Sequence, residues 1–107
     1  MTTSADGVEV VDVPTASRFV LRRNGAEAEL AYRLQGDRLI LVHTEVPDTL
    51  SGQGIGGQLV RAALRRANAE HLTLVPWCPF ARRWLHDHPD AAAGLTIDWE
   101  SPPPWSE

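Results

Sequence analysis

At 107 residues, the chain has room for one domain built on a single core. Fourteen acidic against ten basic residues leave a net charge of −4, which excludes a charge-driven grip on a nucleic-acid backbone. The lone Cys78 excludes an internal disulfide, and no apolar run reaches membrane-spanning length.

Met1 to Asp12 is polar and acidic, without the basic and apolar segments of a secretory signal, so a cytoplasmic location is expected. The first dozen residues read as a loose tail, although Val8, Val10, Val11 and Val13 have the composition of an edge strand. Arg18 to Arg23 follows, with Phe19 and Leu21 on one face. Asn24-Gly25 is a strong hairpin turn, because both central residues of such a turn need positive φ. Glu27 to Leu34 alternates, with Ala28, Leu30, Tyr32 and Leu34 on one side. After a turn at Gln35-Gly36-Asp37, the run Leu39-Ile40-Leu41-Val42 predicts a central strand buried on both faces, continuing to Val46 and stopped by Pro47.

The segment Gly52-Gln53-Gly54-Ile55-Gly56-Gly57 comes next, and it is the most informative stretch of the chain. Behind it, Ile55, Leu59, Ala63 and Ala67 form a helical stripe flanked by Val60 and Leu64. A glycine turn at a helix start exposes bare N–H groups to an anion. Leu72 to Val75 predicts a short strand, Pro79 to about His86 a second helix, and Thr96 to Trp99 a final short strand. The three prolines after Ser101 mark an extended tail. The expected domain is 1–107, with its core over about 18–99 and tails at 1–12 and 101–107.

The anion is narrowed by what the turn lacks. A nucleotide P-loop ends in Gly-Lys-Ser/Thr, but Gly57 is followed by Gln58 and the chain has no lysine. A dinucleotide turn opens a parallel sheet with a different glycine rhythm, whereas this one follows hairpins. A third reading, the pyrophosphate of coenzyme A, stays open.

Val46, then Ser51-Gly52-Gln53-Gly54-Ile55-Gly56, then an amphipathic helix resembles motif A of the GNAT superfamily of acyl-CoA-dependent N-acetyltransferases. Together with His43-Thr44-Glu45-Val46-Pro47, Pro76-Trp77-Cys78-Pro79-Phe80 and His88-Pro89, the chain resembles the minimal GNAT-like family of about a hundred residues, over roughly 18–90. The resemblance implies a compact α/β fold with a mixed sheet. In it, antiparallel hairpins lead into a β–glycine turn–α–β crossover with splayed strands. It lacks the two helices that larger members insert between their first two strands, which Asn24-Gly25 is read as joining directly.

The resemblance further implies acetyl-CoA as co-substrate, no metal, and an amine acceptor that reaches an open site: a protein or peptide amine, or a polyamine. A monomer or weak homodimer is expected. Cofactor contacts fall to Val46, Gln53, Gly54, Ile55, Gly56, Gly57, Cys78, Phe80 and Arg83. Ser51 departs from the Gln or Arg usual at the motif's first position, which leaves the grip to backbone N–H groups.

Three residues are candidates for chemistry. Cys78, at a strand end before a helix, is a nucleophile or thiol acid if a helix dipole or His43 lowers its pKa; otherwise it is a small buried hydrophobe. His43 and Glu45 share a strand face as candidate general bases, against readings as a core histidine and a rim carboxylate. Thr44 faces the other way and reads as structural. Many GNAT enzymes use a late tyrosine as general acid, but the only tyrosine here, Tyr32, lies in an early strand and reads as core. An acyl-CoA-binding module without turnover is the alternative function.

Overall fold

The computed structural model describes residues 10–100, which form one five-stranded sheet with two helices. The strands are β1 (Val10–Val13), β2 (Arg18–Arg23), β3 (Ala26–Gln35), β4 (Arg38–Glu45) and β5 (Thr73–Pro76). The helices are α1 (Ile55–Glu70) and α2 (Pro79–Asp87). Spatial order follows chain order. β1 to β4 form an antiparallel meander, and β5 pairs parallel to β4 through the α1 crossover. This is the mixed α/β architecture expected from the sequence. Among the described residues, no helix is long and apolar enough to cross a membrane.

Local chemistry explains the elements. Asn24 and Gly25 both take positive φ, 54° and 80°, as a two-residue hairpin turn requires. The even residues Ala28, Leu30 and Tyr32 of β3 pack under α1, while the odd residues face away. Ile55, Leu59, Ala63 and Ala67 cover that surface with their helical stripe, and Ala81 and Leu85 of α2 extend it. Val20, Ile40 and Val75 are buried on the other face, so β2, β4 and β5 are apolar on both sides.

Three expectations change. Val10, Val11 and Val13 form the edge strand β1 that their composition suggested, so residues 10–12 do not belong to a tail; Val8 and 101–107 lie outside the described residues. Because β1 is the first strand, the first two strands are joined by the single 3-10 turn Pro14–Ala16, and Asn24-Gly25 joins the second and third. No pair of helices stands at either place. Thr96 to Trp99 makes only one parallel bridge, Ile97 to Leu74, because the segment crosses the outer edge of β5 without running along it.

The N-terminal strand is fixed by a polar cluster under α1. The Tyr32 hydroxyl donates to Asp12 at 2.6 Å, and the Arg66 guanidinium donates to both, at 2.8 Å each. Burial, with the Asp12 carboxylate beside it, pushes the Tyr32 phenol above its ordinary pKa. On the opposite face, Arg18 binds Glu27 and Glu29, and Arg22 binds Glu27. Hydrogen bonds from Arg22 and Arg18 hold the Glu27 carboxyl below the usual range.

Candidate functional site

The site begins where the sheet comes apart. Pairing of β4 with β5 ends at Leu41 and Pro76. Pro76 has no N–H to continue the ladder, and the Leu41 carbonyl accepts from both Trp77 (3.0 Å) and Cys78 (2.8 Å) as the strands part. On its other side, β4 carries a bulge. Leu41 opposes Tyr32 and His43 opposes Ala31, so Val42 is the extra residue.

The bulge sets which side chains face the helix side of the sheet. Leu39 and Leu41 point into the core, and one extra residue puts Thr44, opposite the core residue Leu30, on the same face. Thr44 is therefore a cleft residue and not merely structural. Its hydroxyl lies 3.1 Å from the Cys78 thiol. His43 and Glu45 point to the other face, with side chains 60% and 71% exposed and Nε2 to Oε1 at 3.6 Å. A core role for His43 is excluded. Glu45 stands directly across from Glu29, whose carboxylate is paired with Arg18.

On the helix side, a cleft of about 590 Å³ runs from Thr44 and Val46 to the start of α1. Gly54 caps the helix with φ 72°, and no side chain bonds to the first turn. The first i→i−4 bond is Gln58 N–H to the Gly54 carbonyl, which leaves the amides of Ile55, Gly56 and Gly57 without intrahelical acceptors. Ser51 turns its hydroxyl onto the Asp48 carbonyl at 3.0 Å. The opposite wall is α2. A Cβ on Gly56 would stand 2.6 Å from the Phe80 ring, and one on Gly57 2.7 Å from Trp84 Nε1. Those two glycines exist to let the rings close on the helix start.

Of the expected cofactor residues, Val46, Gly54, Ile55, Gly56, Gly57 and Phe80 line this cleft. Gln53, Cys78 and Arg83 do not. The Gln53 side chain is engaged with Arg23 and the Thr49 carbonyl. Cys78 is buried, 2% exposed, behind Thr44. Arg83 lies on the exposed face of α2. Arg61, Trp84 and His88 line the cleft instead. Spacing carried a signal for them: Arg61 is one turn beyond Gly57, and Trp84 and His88 repeat from Phe80 every fourth residue.

The cleft's walls include no carboxylate, although the chain is acidic overall. Uncapped helix amides, one arginine and a histidine make it an anion receptor with an apolar channel attached. His86 stacks on Trp99 and His88 on Trp84, so these two histidines do not converge. No metal-binding cluster occurs among the described residues.

Residues 18–94 match the family model described as GCN5-related N-acetyl-transferase. The chain is 36% identical over 75 residues to the proteins called NATD1 from Gallus gallus and Homo sapiens. That match takes in 67% of this chain and 68% and 66% of theirs. Among solved structures, it resembles the NMR structure of a GCN5-like putative N-acetyltransferase from Staphylococcus aureus. The TM-score is 0.65 at 26% identity, with 86% of this chain and 91% of that chain covered.

Proposed function

The chain belongs to the GCN5-related N-acetyltransferase family, and on that premise we propose that it moves an acetyl group from acetyl-CoA to a primary amine. One observation carries the reading: a carboxylate-free cleft with uncapped helix amides at one end and the β4–β5 split at the other. The amides of Ile55, Gly56 and Gly57 take the pyrophosphate. Val46, Leu50 and Phe80 flank the pantetheine arm, which leads to Thr44.

The chemistry follows from the split. The bulged Val42 is out of the β3 ladder and supplies a backbone N–H to the thioester oxygen as charge builds there. The acceptor approaches from the open face, where the exposed Glu45 attracts a cationic amine. His43 or Glu45 takes the ammonium proton. The C–N bond then forms, the C–S bond breaks, and the second proton shed by the new amide nitrogen reaches the departing thiolate through the Thr44–Cys78 pair, which gives one proton and regains one. Tyr32 has no part, since its hydroxyl is tied to Asp12 and Arg66. That locked tyrosine also favours the alternative reading, an acyl-CoA-binding module with little turnover.

Calorimetry with acetyl-CoA, CoA, ATP and NAD tests the cofactor, and thiol release over a panel of amines tests the transfer. Both CoA species are expected to bind, and ATP and NAD are not. Glu45→Gln with His43→Ala is expected to lower kcat by about 100-fold at unchanged KM for acetyl-CoA. Absence of CoA binding overturns the proposal. Binding without transfer to any amine leaves the binding-module reading. Full single-turnover transfer by Cys78→Ala removes the thiol from the chemistry.

A further inference from the structure

Beyond the helix start, the cleft ends at Arg61, Trp84 and His88. The Arg61 guanidinium lies over the Trp84 indole, 5.0 Å from its centroid, and the His88 imidazole stacks on the same indole, 4.0 Å away at 12°. His88 Nδ1 is 2.8 Å from the Trp84 carbonyl. A carbonyl oxygen only accepts, so Nδ1 carries the proton and Nε2 is the nitrogen left to a ligand. Arg61 and His88 are the charged or titratable side chains that line the cleft. Among the described residues, Arg61 makes no ion pair and Trp84 is its aromatic partner.

Arg61 also borders a second cavity. It measures about 220 Å³ and continues along α1, lined by the apolar Leu64, Ala91 and Leu95 and by the polar Arg65 and Asn68. At 1.5 Å per residue, Arg61 lies about 6 Å along the helix from Gly57 and Leu64 about 10 Å. The order along α1 is therefore amides, then a cation, then a hollow with apolar and polar walls. A molecule with a pyrophosphate, a further phosphate on its ribose and a flat base fits that order.

We propose that Arg61 and His88, held in place by Trp84, bind the 3′-phosphate of the coenzyme's adenosine, and that the nucleoside lies over the smaller cavity. The inference rests on the CoA reading and adds a discrimination to it: the protein selects CoA over 3′-dephospho-CoA. It also supplies a cation where Ser51 provides none. The pyrophosphate is held by backbone, and the side-chain charge sits one turn further along, at the second phosphate.

The test is calorimetric titration of the wild-type protein and Arg61→Gln with CoA and with 3′-dephospho-CoA. Wild type is expected to bind CoA about tenfold more tightly than dephospho-CoA, the scale of one charge-assisted contact. Arg61→Gln is expected to lose that factor for CoA and to leave dephospho-CoA unchanged, with Arg61→Lys restoring part of it. Arg61 is exposed, and an unchanged Tm verifies that the variant is folded. Equal wild-type affinities overturn the inference and leave CoA binding standing. So does an equal loss on both ligands in Arg61→Gln, which places Arg61 at the pyrophosphate. If neither ligand binds wild type, the CoA reading falls and this inference with it.

Discussion

The two halves of β4 obey different rules. From Arg38 to Leu41 the strand has a partner on each side, and Leu39, Ile40 and Leu41 are buried. From His43 to Glu45 it is paired to β3 alone, with Val42 standing out of the ladder, and no residue from Val42 on is fully buried. Two small features separate the halves: the extra residue at Val42 and the proline that ends β5. A continuous hydrogen-bonded strand is a poor place for chemistry, because its polar groups are already used. By breaking the ladder at one point, the fold frees backbone groups and still holds them on a rigid scaffold.

The largest expected effect separates the halves by stability. Leu41→Ala should cost about 2–5 kcal/mol in urea unfolding, as for other fully buried leucines. His43→Ala, two residues away and exposed, should stay within about 0.5 kcal/mol. Equal costs would mean that the second half is as much core as the first.

Gly56→Ala probes the cleft wall that faces the broken half. The new methyl meets the half-exposed Phe80 ring, which must swing away. Acetyl-CoA affinity should fall by about tenfold while stability changes by less than about 1 kcal/mol. A stability loss at unchanged affinity would make the ring a packing element only.

Tyr32→Phe is the smallest effect and belongs to the first half, since Tyr32 stands opposite Leu41. Loss of the hydroxyl should cost about 1 kcal/mol and leave cofactor affinity unaltered. The phenol's raised pKa also gives a sign. The native state holds this proton more tightly than the unfolded chain. Stability is therefore whole below pH ~10, the ordinary tyrosine value, and declines as pH rises through the native value. Alkaline unfolding curves of wild type and Tyr32→Phe should show the decline in the first and a weaker one in the second.

Much of this is legible in residues that act through neighbours in the chain. Asn24-Gly25 sets its hairpin by backbone conformation, Ala28, Leu30 and Tyr32 set a face by alternation, and the glycine turn marks the anion end by composition. The bulge is not legible, because a period-two reading assigns faces by counting, and one unpaired residue at Val42 makes the count fail for everything after it. That is why Thr44 reads as turned away from a cleft it lines. Spacing marks Arg61 on one helix and Trp84 and His88 at the other, but their meeting is not legible, because it depends on the close approach that Gly56 and Gly57 allow between the two helices. The short β1 is legible only in part: Val10, Val11 and Val13 have the composition of a strand, but its pairing with β2 and the Asp12–Tyr32–Arg66 cluster that fix it lie outside its own pattern.

That polar cluster has a consequence for association. An open sheet offers unpaired N–H and C=O groups to a second chain at each outer strand, which invites edge-to-edge addition. Here β1 is four residues long, carries the inward carboxylate of Asp12, and runs directly into Pro14, which has no N–H to offer. At the far side, β5 is covered by backbone bonds to Thr96 and Asp98. An ion pair that reads as a stability device therefore also serves solubility, holding a short edge to its own helix and out of reach of a neighbour's strand.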